Sequence, residues 1–129
     1  MNLTLHLTEN CNMDCDYCPN EKTAKHMDQD IVNAACKLIF SHGNSAFLCF
    51  FGGEPMHERP LIEYAVKCCE ENSHETGIPV QYRMTTNGTL LTEEFIEFAL
   101  KSNIRIDLSF DGTVQDICRK FKDKTGTFA

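Results

Sequence analysis

The sequence predicts an α/β fold of parallel strands, and three observations carry that prediction. Segments that alternate at period two, or run continuously apolar, take turns with segments whose apolar residues recur at helical spacing. Gly, Asn-Gly or Asp-Gly closes most of them. The resulting order is strand, helix, strand, helix, strand, helix, strand, partial helix. Such alternation implies right-handed crossovers in either a doubly wound sheet or a section of a barrel.

Asn2 to Leu7 places Leu3, Leu5 and Leu7 on one face and Thr4, His6 and Thr8 on the other, the pattern of a strand. After a polar loop over Pro19 to Met27, Asp28 is a candidate N-cap. Ile31, Ala35, Leu38 and Ile39 then recur at helical spacing until His42-Gly43. Ala46 to Phe51 is continuously apolar, as in a strand buried on both faces, and Gly52-Gly53 stops it. A second helix begins at Pro60, with Leu61, Tyr64, Ala65 and Cys68 on one face before Gly77.

Val80 to Thr85 reads as the third strand, ended by Asn87-Gly88. Thr92 caps a third helix whose first turn carries Glu93 and Glu94, with Phe95, Ile96 and Ala99 facing inward. Ile104 to Phe110 supplies the fourth strand, closed by Asp111-Gly112. Val114, Ile117, Cys118 and Phe121 outline one more amphipathic helix, and no strand follows through Ala129.

Composition narrows the function. At 129 residues there is room for one core, and 42% hydrophobic with 24% charged residues is the balance of a globular chain. The net charge of -7 is not relieved by any Lys/Arg stripe, which argues against a nucleic-acid partner. No apolar run approaches the ~20 residues of a membrane span, and the N-terminus lacks a signal-peptide core. The expected location is cytoplasmic. There the eight cysteines remain thiols, and clustered ones point to metal rather than to disulfides. Cys36, Cys49, Cys68, Cys69 and Cys118 are scattered and read as small buried hydrophobes.

Four motifs follow strand ends: Cys11 to Cys18, Gly52 to Pro55, Thr86 to Gly88, and Ser109 to Gly112. In parallel α/β folds ligands bind at that edge, where loops and helix N-termini converge. Cys11, Cys15 and Cys18 are spaced C-x3-C-x2-C. Three soft ligands suit an iron-sulfur cluster with one open iron, whereas structural zinc needs a fourth donor such as His6 or His26. Gly52-Gly53 lets a ligand approach the backbone closely, or is simply a strand-ending turn. Thr86-Asn87-Gly88 reads more readily as a turn than as a direct contact.

The run Leu7 to Pro19, LTENCNMDCDYCP, resembles the cluster loop of the radical S-adenosylmethionine superfamily. Gly52-Gly53-Glu54-Pro55 and Thr86-Asn87-Gly88 follow in that family's order. Ser109 to Gly112, Asp116 to Arg119 and the closing KTGTF resemble the subgroup of anaerobic sulfatase-maturating enzymes and SPASM peptide maturases. The resemblance implies a 4Fe-4S cluster on Cys11, Cys15 and Cys18, with S-adenosylmethionine on its open iron. Tyr17 would lie near the adenine, the motif Gly52, Gly53, Glu54 would receive the methionyl amino group, Ser109 would meet the ribose, and Arg119 the carboxylate. For Arg119 the plainer alternative is a solvated residue paired with Asp116 or Asp123. Phe51 stands where a polar residue is frequent in these relatives. The segment after Gly112 is shorter than theirs and lacks their proline.

The expected architecture is therefore a partial (βα) TIM-like barrel. Its four strands belong to the N-terminal part of a six-stranded core domain, so that residues 1–129 would be a fragment of a longer protein. The expected activity is oxidoreductase chemistry through a 5′-deoxyadenosyl radical, acting on a peptide or protein and fed by an external flavodoxin- or ferredoxin-type donor. No residue is assigned as catalytic. An unfinished barrel would also favour self-association. The alternatives are a non-catalytic zinc or iron-sulfur module and an inactive barrel fragment.

Overall fold

The computed structural model describes residues 1–128; Ala129, the last residue of the predicted C-terminal segment, lies outside the described residues. Strands β1 (Asn2–His6), β2 (Ala46–Phe51), β3 (Val80–Thr86) and β4 (Ile104–Leu108) form one sheet in the order β1-β2-β3-β4, every neighbouring pair parallel. Helices α1 (Gln29–Leu38), α2 (Arg59–Thr76) and α3 (Glu93–Lys101) make the crossovers. A doubly wound sheet reverses its strand order at a switch point, whereas this one advances without reversal. The sheet is an arc of a barrel.

One face of the arc holds the core. Leu5, Leu48, Phe50, Tyr82 and Met84 pack against Val32, Cys36, Ile39, Ile62, Ala65, Cys69 and Phe95 from the helices. Phe50 and Tyr82 stack with ring centroids 6.4 Å apart. Burying an aromatic or aliphatic side chain of this kind stabilises the fold by roughly 1.5–3 kcal/mol. The other face was expected to bury β2 as well, but Phe47, Cys49 and Phe51 are only half-buried there. On this side, the interior of a barrel, Asp107 accepts from both Arg83 and Arg105.

The helices begin and end near the expected positions but turn different stripes inward. In α1 the buried residues are Val32 and Cys36, followed by Ile39, while Ile31 and Leu38 are exposed. α2 buries Ile62, Ala65, Val66 and Cys69, and α3 leaves Ile96 outside. Each helix carries more apolar residues than one stripe requires, so several phases fit the same sequence and tertiary packing selects one. Asp28 holds the N-cap position of α1 without a side-chain cap bond, whereas Thr92 accepts from the Phe95 amide at 3.2 Å. Gly77 ends α2 at φ 71°, a left-handed conformation that favours glycine.

The last predicted element differs most. β4 stops at Leu108, and after it come a 3-10 turn (Gly112–Val114) and a single-turn helix, α4 (Gln115–Cys118). Val114 and Ile117 are exposed, while polar Gln115 and Arg119 are buried. The reason lies in the tail. The Asp111 amide donates to Gln115 Oε1 at 3.0 Å, Gln115 Nε2 donates to Thr127 Oγ1 at 2.8 Å, and Thr127 donates to the Arg119 carbonyl at 2.7 Å. A polar strap fixes this segment, so the expected amphipathic packing of Val114, Ile117 and Phe121 does not form.

Candidate functional site

The cysteine loop leaves β1 and crosses the C-terminal edge of the sheet, where three elements hold it. From the end of β2, the Gly53 amide donates to the Thr8 carbonyl and the Glu54 amide to the Asn10 carbonyl, both at 2.8 Å. A Cβ on Gly52 would stand 2.5 Å from the Thr8 oxygen, and one on Gly53 would run into the Asn10 carbonyl. The two glycines therefore serve a close approach of this chain to itself. From the end of β3, Asn87 Nδ2 donates to Asn12 Oδ1 at 2.9 Å, and Asn12 Nδ2 donates to Thr89 Oγ1 at 2.8 Å.

The third support is the C-terminal tail. The Asp14 amide donates to the Lys120 carbonyl at 2.7 Å and the Asp16 amide to the Cys118 carbonyl at 2.9 Å. Lys22 and Lys124 both donate to the Asp14 carboxylate, at 2.7 and 2.5 Å, and hold its pKa down at about 2. Asn12, Asp14 and Lys124 lie within segments that carry the resemblance, yet neither they nor Lys22 stand out by sequence, since a polar side chain in a polar loop looks like any solvated residue.

These supports enclose a cavity of about 200 Å³ whose lining includes Cys11, Cys15, Cys18, Tyr17, Gly52, Gly53 and Arg119. Cys11 is buried and the other two thiols are half-buried. Burial pushes the Cys15 thiol above its ordinary pKa, and the Arg119 charge partly offsets this. Arg119 itself is buried. It donates to the Tyr17 hydroxyl, lies over the Tyr17 ring at 5.9 Å from the centroid, and stands 3.9 Å from Asp111. Tyr17 donates to Asp111 at 2.6 Å, and burial followed by that carboxylate raises its pKa.

The alternative ion pairs for Arg119 do not form: Asp116 accepts from the Phe128 amide and Asp123 from Thr125. Arg119 Nε is the one buried side-chain N or O atom without a partner among the described residues.

Glu54 and Ser109 stand apart from the cavity wall. Glu54 is fully buried and faces the fold, accepting from Thr86 Oγ1 at 2.6 Å, the Asn87 amide at 2.8 Å and the Met56 amide at 3.1 Å. Ser109 lies at the end of β4, its amide donating to the Thr86 carbonyl at 2.9 Å, and it does not line the cavity. Thr86-Asn87-Gly88 is more than a turn, since it is what ties Glu54 and the cysteine loop to β3.

The donor set fits a cluster better than a single ion. Among the described residues no three His, Cys, Asp or Glu side chains stand close enough to hold one metal ion. His6 and His26 line a neighbouring cavity of about 510 Å³ and do not complete a cage with the thiols. Three thiols lining one cavity, glycine backbone beside them, and an unpaired buried guanidinium nitrogen suit a polynuclear cluster carrying an anionic ligand.

The profile of the radical SAM superfamily matches residues 5–129. The chain belongs to that superfamily. An uncharacterized protein of Methanocaldococcus jannaschii is 35% identical over 123 residues, which cover 94% of this chain and 42% of that protein. The cysteine-type anaerobic sulfatase-maturating enzyme of Clostridium novyi is 28% identical over 137 residues, covering 94% and 35%. Native anSMEcpe with bound AdoMet superposes with a TM-score of 0.89 at 22% identity, covering 98% of this radical SAM chain and 37% of that one. This likeness bears out the expected partial barrel. The chain spans less than half the length of each of these proteins.

Proposed function

We propose that this chain is the N-terminal part of a radical SAM core domain, residues 1–129, and that its cavity binds a 4Fe-4S cluster through Cys11, Cys15 and Cys18 with S-adenosylmethionine beside it. When bound, this pair supplies a 5′-deoxyadenosyl radical for hydrogen abstraction. The observation that carries the reading is the meeting of the three thiols, the glycine pair and Arg119 around one cavity at the C-terminal edge of a parallel sheet. Gly52 and Gly53 offer backbone to the methionyl amino group, and Arg119 directs its unpaired Nε toward a carboxylate. Tyr17 provides a ring for the adenine and Ser109 a hydroxyl for the ribose. Glu54 acts from behind, fixing the backbone of the glycine pair rather than presenting its own carboxylate.

The substrate proposed for the whole protein is a peptide or protein. Support comes from the sulfatase-maturating relatives and from a solved neighbour that holds AdoMet together with the Cp18Cys peptide. An external flavodoxin- or ferredoxin-type donor would reduce the cluster in the cytoplasm. Among the described residues no helix is long and apolar enough to cross a membrane. The strand edges and concave face left uncovered within the chain would pair with a second copy, which sedimentation across a concentration series checks.

Anaerobic reconstitution with iron and sulfide tests the centre. Wild-type chain should take up a full cubane and show its low-spin reduced signal by electron paramagnetic resonance, and Cys11→Ala, Cys15→Ala and Cys18→Ala should each lose both. Unchanged iron content in those variants would refute the assignment.

A further inference from the structure

The concave face of the sheet carries a group of charges that the cavity does not use. The strand registers set Thr4, Cys49, Arg83 and Arg105 in one row across the four strands. Two residues further along the same face, Phe51 and Thr85 line the cavity of the three thiols. Successive residues in a strand rise about 3.3 Å, so the arginine row lies roughly 7 Å below the cavity edge, on a surface continuous with it.

Arg83 and Arg105 are direct partners on adjacent strands, where like charges destabilise a sheet. Asp107 offsets their repulsion: Arg83 Nε donates to its Oδ2, and Arg105 Nε donates to its Oδ1 at 3.1 Å. The Arg83 bond already joins β3 to β4. Arg105 shares a strand with Asp107, so it adds no link between strands, only a second cation beside the first. Each guanidinium uses Nε alone; among the described residues neither makes a hydrogen bond through Nη1 or Nη2. The Asp107 side chain is 24% exposed, against 45% for Arg83 and 75% for Arg105, so the acceptor is covered while the donor edges face the barrel interior.

Two guanidinium groups against one carboxylate leave a single positive charge on this face, in a chain whose net charge is -7. One surplus charge matches one carboxylate, whereas a phosphate dianion would bring excess negative charge beside Asp107. The face continues below the pair to Gln81, so a peptide lying along it meets the arginines with a side chain rather than with its end. Taking the peptide or protein substrate proposed above, we propose that Arg83 and Arg105 bind an Asp or Glu side chain of that substrate. Their planar donor edges suit a carboxylate, and the grip fixes which neighbouring residue reaches the cavity.

Titration of the isotope-labelled full chain with acetyl-Gly-Glu-Gly-amide, whose one charge is the side-chain carboxylate, tests this by nuclear magnetic resonance. It is run with the cluster reconstituted and in parallel without it. The Nε–Hε signals of Arg83 and Arg105 and the Thr85 amide should shift saturably, and acetyl-Gly-Gln-Gly-amide should move none of them. Affinity should fall about fivefold or more in Arg105→Gln and in Arg83→Gln, and should hold in Lys101→Gln, which removes one exposed charge elsewhere. With two arginine variants, a folding failure of one leaves the other to decide. Equal shifts with the Glu and Gln peptides, or an equal loss in Lys101→Gln, would overturn the proposal. So would tighter binding of inorganic phosphate, or of acetyl-Gly-Gly-Gly through its free carboxylate. Shifts in a chain that takes up no iron would support this site while the cluster assignment fails, and unmoved signals beside a complete cubane would remove this site alone.

Discussion

Gly53 and Glu54 are adjacent in a recognisable motif, and each has its own work within the fold. Gly53 allows two backbones to touch, and an added methyl group would run into the backbone carbonyls of both Asn10 and Glu9. Gly53→Ala should therefore cost about 2 kcal/mol or more of stability, read as a lower urea midpoint, and should free the cysteine loop. Glu54 supplies acceptors to two amides and a hydroxyl inside the fold. Glu54→Gln puts a donor where only donors arrive, and we expect a loss of about 3 kcal/mol, checked by the same titration. That role was not legible beforehand, because Thr86 lies 32 positions away and nothing local to Glu54 says which way its carboxylate turns.

The strands were readable because period-two alternation marks β1, β3 and β4 and the short apolar run Ala46 to Phe51 marks β2, although that run does not itself say which face meets the core. Helix phase was less readable: Ile31 and Val32 are neighbours of similar hydropathy, and only contact with α2 decides that Val32 goes inside. The segment after β4 was misread for a related reason. Its apolar residues have helical spacing, but a polar side chain, Gln115, holds Asp111 on one side and Thr127 on the other. Gln115→Leu should leave overall stability within about 1–2 kcal/mol of wild type while increasing amide exchange over 119–127 by more than about tenfold. Equal exchange in the two proteins would mean the strap is held by something else. The core behaves oppositely: Phe50→Ala, beneath the stack with Tyr82, should cost about 3–5 kcal/mol throughout the chain, seen as a drop in thermal midpoint.

Across the molecule, the cysteines and glycines of the site were legible because each belongs to a contiguous motif at a strand end. Arg119 was legible only as a resemblance, since its burial depends on the tail returning to the cysteine loop. The same dependence on distant partners governs the concave face. Neither Arg83, Arg105 nor Asp107 signals a role alone, but the register pairs Arg83 with Arg105 and Thr85 with Asp107, which brings one carboxylate to two guanidinium groups. Burial would raise the Asp107 pKa, yet the bonds and charges of Arg83 and Arg105 outweigh it and leave the group below the ordinary 3.8. A carboxylate whose pKa falls on folding stabilises the fold fully above its unfolded value. That contribution fades as pH drops through the lower folded value, when the folded state too takes up the proton. Wild type and Asp107→Asn should therefore differ in urea midpoint at neutral pH and converge as pH falls below 3.8. A gap that stays constant through the acid range would mean that shape at this position, rather than its charge, joins β3 to β4.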